Sequence, residues 1–192
     1  MDRNQSINIY AFLIILTGII LLLRGQYSII NYDNYSLANS HYPVTYIVSV
    51  LMLLSAGFAA YTAFQSFDFK LALKYHALHA FALVVYGLAV LFFANNLQKF
   101  LDITTFFLLF YGVSEIVFGF QLLLMRQKTI SSQIVVFRLL IGFFISLGAV
   151  SVLASFYSDP NSAVLISGVV FVFSGINLIL FRTVQKAPEK GM

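Results

Sequence analysis

Six apolar stretches follow one another along the chain, and nearly every charged residue falls between them. A helix rises about 1.5 Å per residue, so roughly 20 apolar residues carry it across the hydrocarbon core of a bilayer. The runs predict helices at 7–24, 45–64, 75–94, 103–125, 134–154 and 163–182. Inside lipid the backbone must satisfy its own hydrogen bonds, and a helix does so within one segment. The expectation is an all-α integral membrane protein, one six-span domain over residues 1–192, with the lipid bilayer as its first partner.

Composition and charge sharpen this reading. The chain is 60% apolar and 9% charged, against roughly 25% charged residues in soluble domains. With an N-terminus in the cytoplasm, the inner side holds Arg3, Lys70, Lys74, Arg126, Lys128, Arg182, Lys186 and Lys190, and the outer side only Arg24 and Lys99. That bias places both termini in the cytoplasm. It also accounts for the net charge of +4 without a nucleic-acid partner. Arg3 and the run from Ile9 to Leu23 imitate a secretory signal, but Arg24-Gly25-Gln26-Tyr27 follows where a small-residue cleavage pattern belongs, so a retained first span is expected. The chain has no cysteine, which excludes disulfides, thiolate metal sites and cysteine nucleophiles.

Tyrosine is expected at the boundaries, where an amphipathic ring belongs. Tyr10, Tyr46, Tyr61 and Tyr75 all fall near predicted span ends. The polar, aromatic segment 25–44 reads as a tethered outer loop with tyrosines resting on headgroups, or as a cap over the outer face.

The spans form three tandem hairpins, at about 7–64, 75–125 and 134–182, and the hairpins resemble one another. Gly112 and Gly119 in the fourth helix match Gly168 and Gly175 in the sixth, each pair seven residues apart, and Gly57 lies in the same register of the second. Gly18, Gly87 and Gly148 occupy mid-span places in the odd helices. Seven residues is two helical turns, so paired glycines share a stripe, and small residues let helices approach closely in lipid. These eight glycines are expected to pack the hairpins into a compact bundle of parallel repeats. Leu139 to Gly148, the turn Asp159-Pro160 and Leu165 to Asn177 carry a glycine-rich outgoing helix, a proline-bearing outer turn and a late Ser-Gly-Ile. In these features the chain resembles the HdeD-like acid-resistance membrane proteins, built from a short repeat of unknown function. The resemblance is closest in the last hairpin. The first departs through its long loop, and the middle one has Asn95-Asn96-Leu97-Gln98 where the turn proline would stand. It implies six spans in a bacterial inner membrane and a link to acid or envelope stress, and it supplies no catalytic residues.

A few polar residues sit inside the predicted spans. Glu115 lies mid-span in the fourth helix, with Tyr111 and Gly119 one turn away on either side. A carboxyl there is costly and is normally functional or paired. Burial favours its neutral form. It reads either as a proton- or cation-binding site with Tyr111 beside it, or as a hydrogen-bonded packing residue. Arg138 lies about one turn inside the fifth helix, offset from Glu115 by roughly 8–9 Å of helix rise. The simpler expectation is that it snorkels to the headgroups; the alternative is that it extends to Glu115. His76 and His79 share a face at the inner end of the third helix. They are expected to be interfacial, with pH sensing as the alternative and Tyr86 extending their polar path. A metal site wants further ligands that the spacing does not supply. Gln121 and Asn177 stand two residues after equivalent glycines and read as interhelical glue.

No phosphate loop, dinucleotide fingerprint, nucleophile elbow or zincin motif is present. The chain is therefore expected not to be an enzyme and to need neither cofactor nor metal. The favoured expectation is a stress-related inner-membrane protein. The alternatives are a small-molecule or ion transport component with 25–44 as lid, and a scaffold for another membrane protein or a second copy.

Overall fold

Each apolar run is the centre of a longer helix. The computed structural model describes residues 1–30, 44–67, 70–124, 132–156 and 158–181. Its helices are α1 (Arg3–Ile30), α2 (Val44–Gln65), α3 (Lys70–Phe93), α4 (Leu97–Leu124), α5 (Ser132–Phe156) and α6 (Pro160–Phe181). All six are long and apolar enough to cross a membrane. The extra turns come from polar caps that hydropathy does not register. Asp2 and Gln5 form a reciprocal capping box: the Gln5 N–H donates to Asp2 Oδ1 at 2.7 Å, and the Asp2 N–H to Gln5 Oε1 at 3.0 Å. Asn96 caps α4 by accepting the Lys99 N–H at 2.8 Å. Asp159 stands before Pro160, the first residue of α6, and accepts from the Asn161 N–H at 3.1 Å and from the Ser162 hydroxyl.

The helices form a closed ring in chain order. Each packs on the next, α6 returns to α1, and α4 also reaches α6 across the interior. Neighbours run antiparallel. The Ser6 hydroxyl donates to the Phe58 carbonyl, and the Ser49 hydroxyl to the Gly87 carbonyl. Tyr86 pairs with Thr104, Gly112 lies against Ser146, Phe144 meets Phe173, and Gly18 lies against Gly168. The start of α1 and the end of α6 therefore share one end of the bundle with Lys70 and Lys74. Arg24, Lys99 and Asp159 lie at the other. The outward faces are mostly apolar, with Phe12, Leu54, Phe64, Phe92, Leu147 and Val150 exposed, as expected of helices that meet lipid rather than water.

The closest seams are α1–α6, α2–α3 and α4–α5, so the tightest partners belong to different predicted hairpins. A Cβ on Gly18 would come within 2.6 Å of the Gly168 carbonyl, and one on Gly168 within 2.8 Å of the Gly18 carbonyl. Gly175 presses on Ala11 and Ile15, Gly87 on Ser49 and Leu53, Gly112 on Gly142 and Ser146, Gly119 on Leu139, and Gly148 on Val170. Gly57 corrects the expectation of eight packing glycines: it is exposed, and an added Cβ there would meet nothing within 4 Å. Its register matches the other glycines, but its face of α2 points away from α1 and α3. Gly142, not among the expected set, takes part in the α4–α5 seam instead.

Candidate functional site

One carboxylate gathers four of the six helices. Glu115 of α4 is fully buried, and each of its oxygens meets two polar partners. Oε1 accepts from the Tyr75 hydroxyl at 2.6 Å and faces His79 Nε2 at 3.1 Å. Oε2 accepts from Arg138 Nε at 2.9 Å and Asn177 Nδ2 at 3.0 Å. The partners come from α3, α5 and α6, so every acceptor direction of the carboxylate is used by a different side chain. The Arg138 guanidinium also lies over the Tyr75 ring, 4.3 Å from its centroid, adding a cation–π contact.

Local helix geometry places these groups. Tyr75 and His79 are four residues apart on α3, hence stacked on one face. Their rings lie 4.1 Å apart, and His79 Nδ1 sits 2.8 Å from the Tyr75 carbonyl. That carbonyl is an obligate acceptor, so Nδ1 must carry a proton. Nε2 then faces Oε1 across 3.1 Å. The contact is a hydrogen bond only if a proton lies between them, on the imidazole or on the carboxyl. Moving the ring proton to Nε2 satisfies Glu115 but sets the Nδ1 lone pair against the carbonyl. Both contacts together therefore require one proton more than a neutral imidazole and an ionised carboxylate hold between them.

A second pair adjoins this centre. The Tyr10 hydroxyl of α1 lies 2.9 Å from His76 Nδ1, both groups fully buried. The His76 ring packs edge-on against Tyr75, with centroids 5.1 Å apart. Tyr111 packs edge-on against His79 at 4.7 Å. Its buried hydroxyl and the Oδ1 of Asn177 have no hydrogen-bond partner among the described residues. Tyr86 lies about two turns above His79 and bonds Thr104 at 2.9 Å rather than joining the centre.

Several expectations are corrected. Arg138 does not snorkel: it is 2% exposed and bonded to Glu115, because the α4–α5 seam at Gly112, Gly119 and Gly142 brings its stem close enough to span the offset. His76 and His79 are not interfacial. α3 begins at Lys70, so they lie two turns inside the bundle, both buried. Tyr10 and Tyr75 are likewise buried rather than at the boundary, whereas Tyr46 and Tyr61 are exposed. Gln121 and Asn177 are not equivalent: Gln121 is exposed, and Asn177 is a buried ligand of Glu115. Tyr75, expected only as a boundary tyrosine, is a site residue, and the sequence signal that points to it is its four-residue spacing to His79. Residues 31–43, most of the expected lid, lie outside the described residues, as do Arg126, Lys128, Lys186 and Lys190. Among the described residues no three His, Asp or Glu side chains converge to hold a metal ion. No family model matches the chain, and neither a curated protein nor a solved structure matches it.

Proposed function

We infer that this chain is a non-enzymatic, multi-pass protein of the bacterial inner membrane, with both termini cytoplasmic, that binds and releases a proton at Glu115 and His79. Acid or envelope stress, the context implied by its HdeD-like features, is the condition under which that proton changes hands. The observation that carries the reading is the double engagement of His79, Nδ1 on the Tyr75 carbonyl and Nε2 on Glu115, which needs a shared proton. The groups that set its affinity are Tyr75 and His76 on α3, Tyr10 on α1, Tyr111 on α4, Arg138 on α5 and Asn177 on α6. The Arg138 guanidinium stands at one carboxylate oxygen and His79 at the other.

The test is nitrogen NMR of histidine-labelled protein in lipid nanodiscs from about pH 8 to about pH 4, with acid survival of cells bearing Glu115→Gln or His79→Gln. The expected result is a His79 signal that titrates in the wild type and not in Glu115→Gln, with impaired survival of both variants. A His79 signal unchanged by pH, together with wild-type survival, overturns the reading and leaves Glu115 a packing residue.

A further inference from the structure

The Glu115 centre does not lie midway through the bundle. Counting residues from the helix ends, at a rise of about 1.5 Å each, gives its depth. From the end where α1 starts and α6 stops, Asn177 lies about 6 Å in, Arg138 and His76 about 9 Å, Tyr10 about 11 Å, and His79 and Glu115 about 14 Å. From the opposite end, His79 lies about 21 Å in, and Glu115 and Arg138 about 27 Å. The two ways out also differ in chemistry. Toward the near end polar groups follow one another. The Tyr10 hydroxyl meets His76 Nδ1, the Ser6 and Thr62 hydroxyls lie 2.8 Å apart one turn nearer the end than Tyr10, and the Ser66 hydroxyl donates to the Thr62 carbonyl. Toward the far end the rings of Tyr86, Phe107 and Phe171, from α3, α4 and α6, close on one another with centroids 4.3–5.9 Å apart. Buried Val90, Phe100, Leu101 and Leu108 continue that apolar layer. Among the described residues, Tyr86 is the one buried ionisable side chain beyond the centre on that side, and its hydroxyl is bonded to Thr104.

A charge pays a heavy desolvation cost in apolar packing, so a proton takes the shorter way, where hydroxyls and an imidazole can accept it. We propose that the Glu115–His79 pair exchanges its proton only with the compartment at the near end, so that it reads the pH on that side of the membrane and conducts nothing across. The proposal rests on the proton reading above, and in the orientation proposed there the near side is the cytoplasm. The groups that face the pair come from every neighbouring element: Tyr10 from α1, Tyr75 and His76 from α3, Tyr111 from α4, Arg138 from α5 and Asn177 from α6. Buried α2 side chains near it add only hydroxyls, Ser55 and Thr62. His76 precedes His79 by three residues on the same face of α3, so it is the imidazole that an entering proton reaches first.

The chain has no tryptophan, so Phe118→Trp gives a single optical reporter. Phe118 is buried and packs edge-on against Tyr75, with centroids 5.0 Å apart, and a protonated imidazole quenches a nearby indole. The full-length variant is reconstituted into sealed vesicles, and an epitope tag before Met1 separates those with the near end outward from those with it inward. With equal pH on both faces the reporter is expected to titrate, and to stop doing so when Glu115→Gln is added. A flat response at this stage is the failure of the proton reading itself and takes the proposal with it. The vesicle interior is then held near neutrality by buffer and the outside acidified by rapid mixing. The expected result is prompt quenching with the near end outward, and quenching slower by at least about tenfold with it inward. Equal rates, or a faster response with the near end inward, overturn the sidedness and leave the proton site standing. The wild type is followed in parallel by time-resolved infrared absorption of the Glu115 carboxyl, assigned by its loss in Glu115→Gln, which gives the same comparison without tryptophan. Proton leak into wild-type vesicles is expected to match that of protein-free ones. A leak raised by the wild type and abolished by Glu115→Gln also overturns the proposal, because the centre then conducts.

Discussion

Glu115 and Arg138 should stabilise the bundle only as a pair, and the size of that dependence follows from their burial. Neither side chain reaches solvent, and the guanidinium Nε stands 2.9 Å from Oε2. Replacing one member leaves the other as an uncompensated buried charge, a change that costs about 3–5 kcal/mol in protein interiors. Glu115→Gln keeps the shape and removes the charge that holds Arg138; Arg138→Met keeps much of the stem and removes the charge that holds Glu115. Independent losses would sum to roughly 6–10 kcal/mol. The double variant loses both charges together and should fall short of that sum by about 2–3 kcal/mol, the upper part of the range for contacting residues. The assay is reversible unfolding in mixed micelles with added denaturant, followed by far-ultraviolet circular dichroism. Because the pair is shielded from ions, the shortfall should persist from low to high salt. Additivity within about 0.5 kcal/mol would refute the coupling and return Arg138 to the headgroups.

Three further outcomes follow from single contacts. Gly168→Ala and Gly18→Ala push a Cβ into opposing backbone carbonyls and should each destabilise by about 1–3 kcal/mol. Gly57→Ala, open to space, should be neutral or stabilise by up to about 1 kcal/mol through helix propensity, and thermal melts separate the two. Tyr10→Phe removes the bond to His76 and should cost about 0.5–1.5 kcal/mol, with a shift in the His76 nitrogen signal that a mere packing loss would not give. The Ser162 hydroxyl bonded to the Asp159 carboxylate, helped by the Ser162 and Asn161 N–H groups, holds it below its ordinary 3.8. Its capping contribution is thus complete above that value and fades as pH falls through the lower folded one, so Asp159→Ala should cost about 1 kcal/mol near neutrality and progressively less in strong acid.

The membrane class and the six helices were legible because hydropathy is a local property, summed over one segment at a time. Helix ends were not, because caps such as Asp2 with Gln5 and Asn96 with Lys99 are polar and lie outside the apolar runs. That error propagated. Starting α3 at residue 75 rather than Lys70 put His76 and Tyr75 at an interface and hid their burial. Glu115 could be singled out from its depth alone, and Arg138 only as one of two alternatives, whereas Asn177 reaches it from α6 and only the packing of helices brings the two together. Gly57 shows the same limit: register on one helix does not say which face a neighbour will cover.

The ring is joined in two physically different ways, and the difference bears on what the buried charges do. In lipid, apolar side chains gain little by leaving hydrocarbon for one another, so association rests on close packing and on polar bonds. Glycine supplies the first at α1–α6, α2–α3, α4–α5 and α5–α6. The α1–α2 and α3–α4 seams rest on polar bonds instead: α1–α2 on those of Ser6, Ser55 and Thr62, and α3–α4 on the bonds of Tyr75 and His79 to Glu115 and of Tyr86 to Thr104. The ion pair of Glu115 with Arg138 fastens α4 to α5, and a buried ion pair is a poor fastener compared with apolar packing of the same volume, so stability alone does not explain a buried carboxylate whose remaining bonds tie the loosest seam. A seam whose ties change strength with the position of one proton is explained if the seam itself responds to that proton. Hydrogen exchange on α3 and α4 should then slow relative to α1 and α6 as the shared proton is gained and completes the bond of His79 to Glu115, and Glu115→Gln should remove the difference. A uniform response of all six helices to acid would mean that the charges serve the bundle as a whole and not this seam.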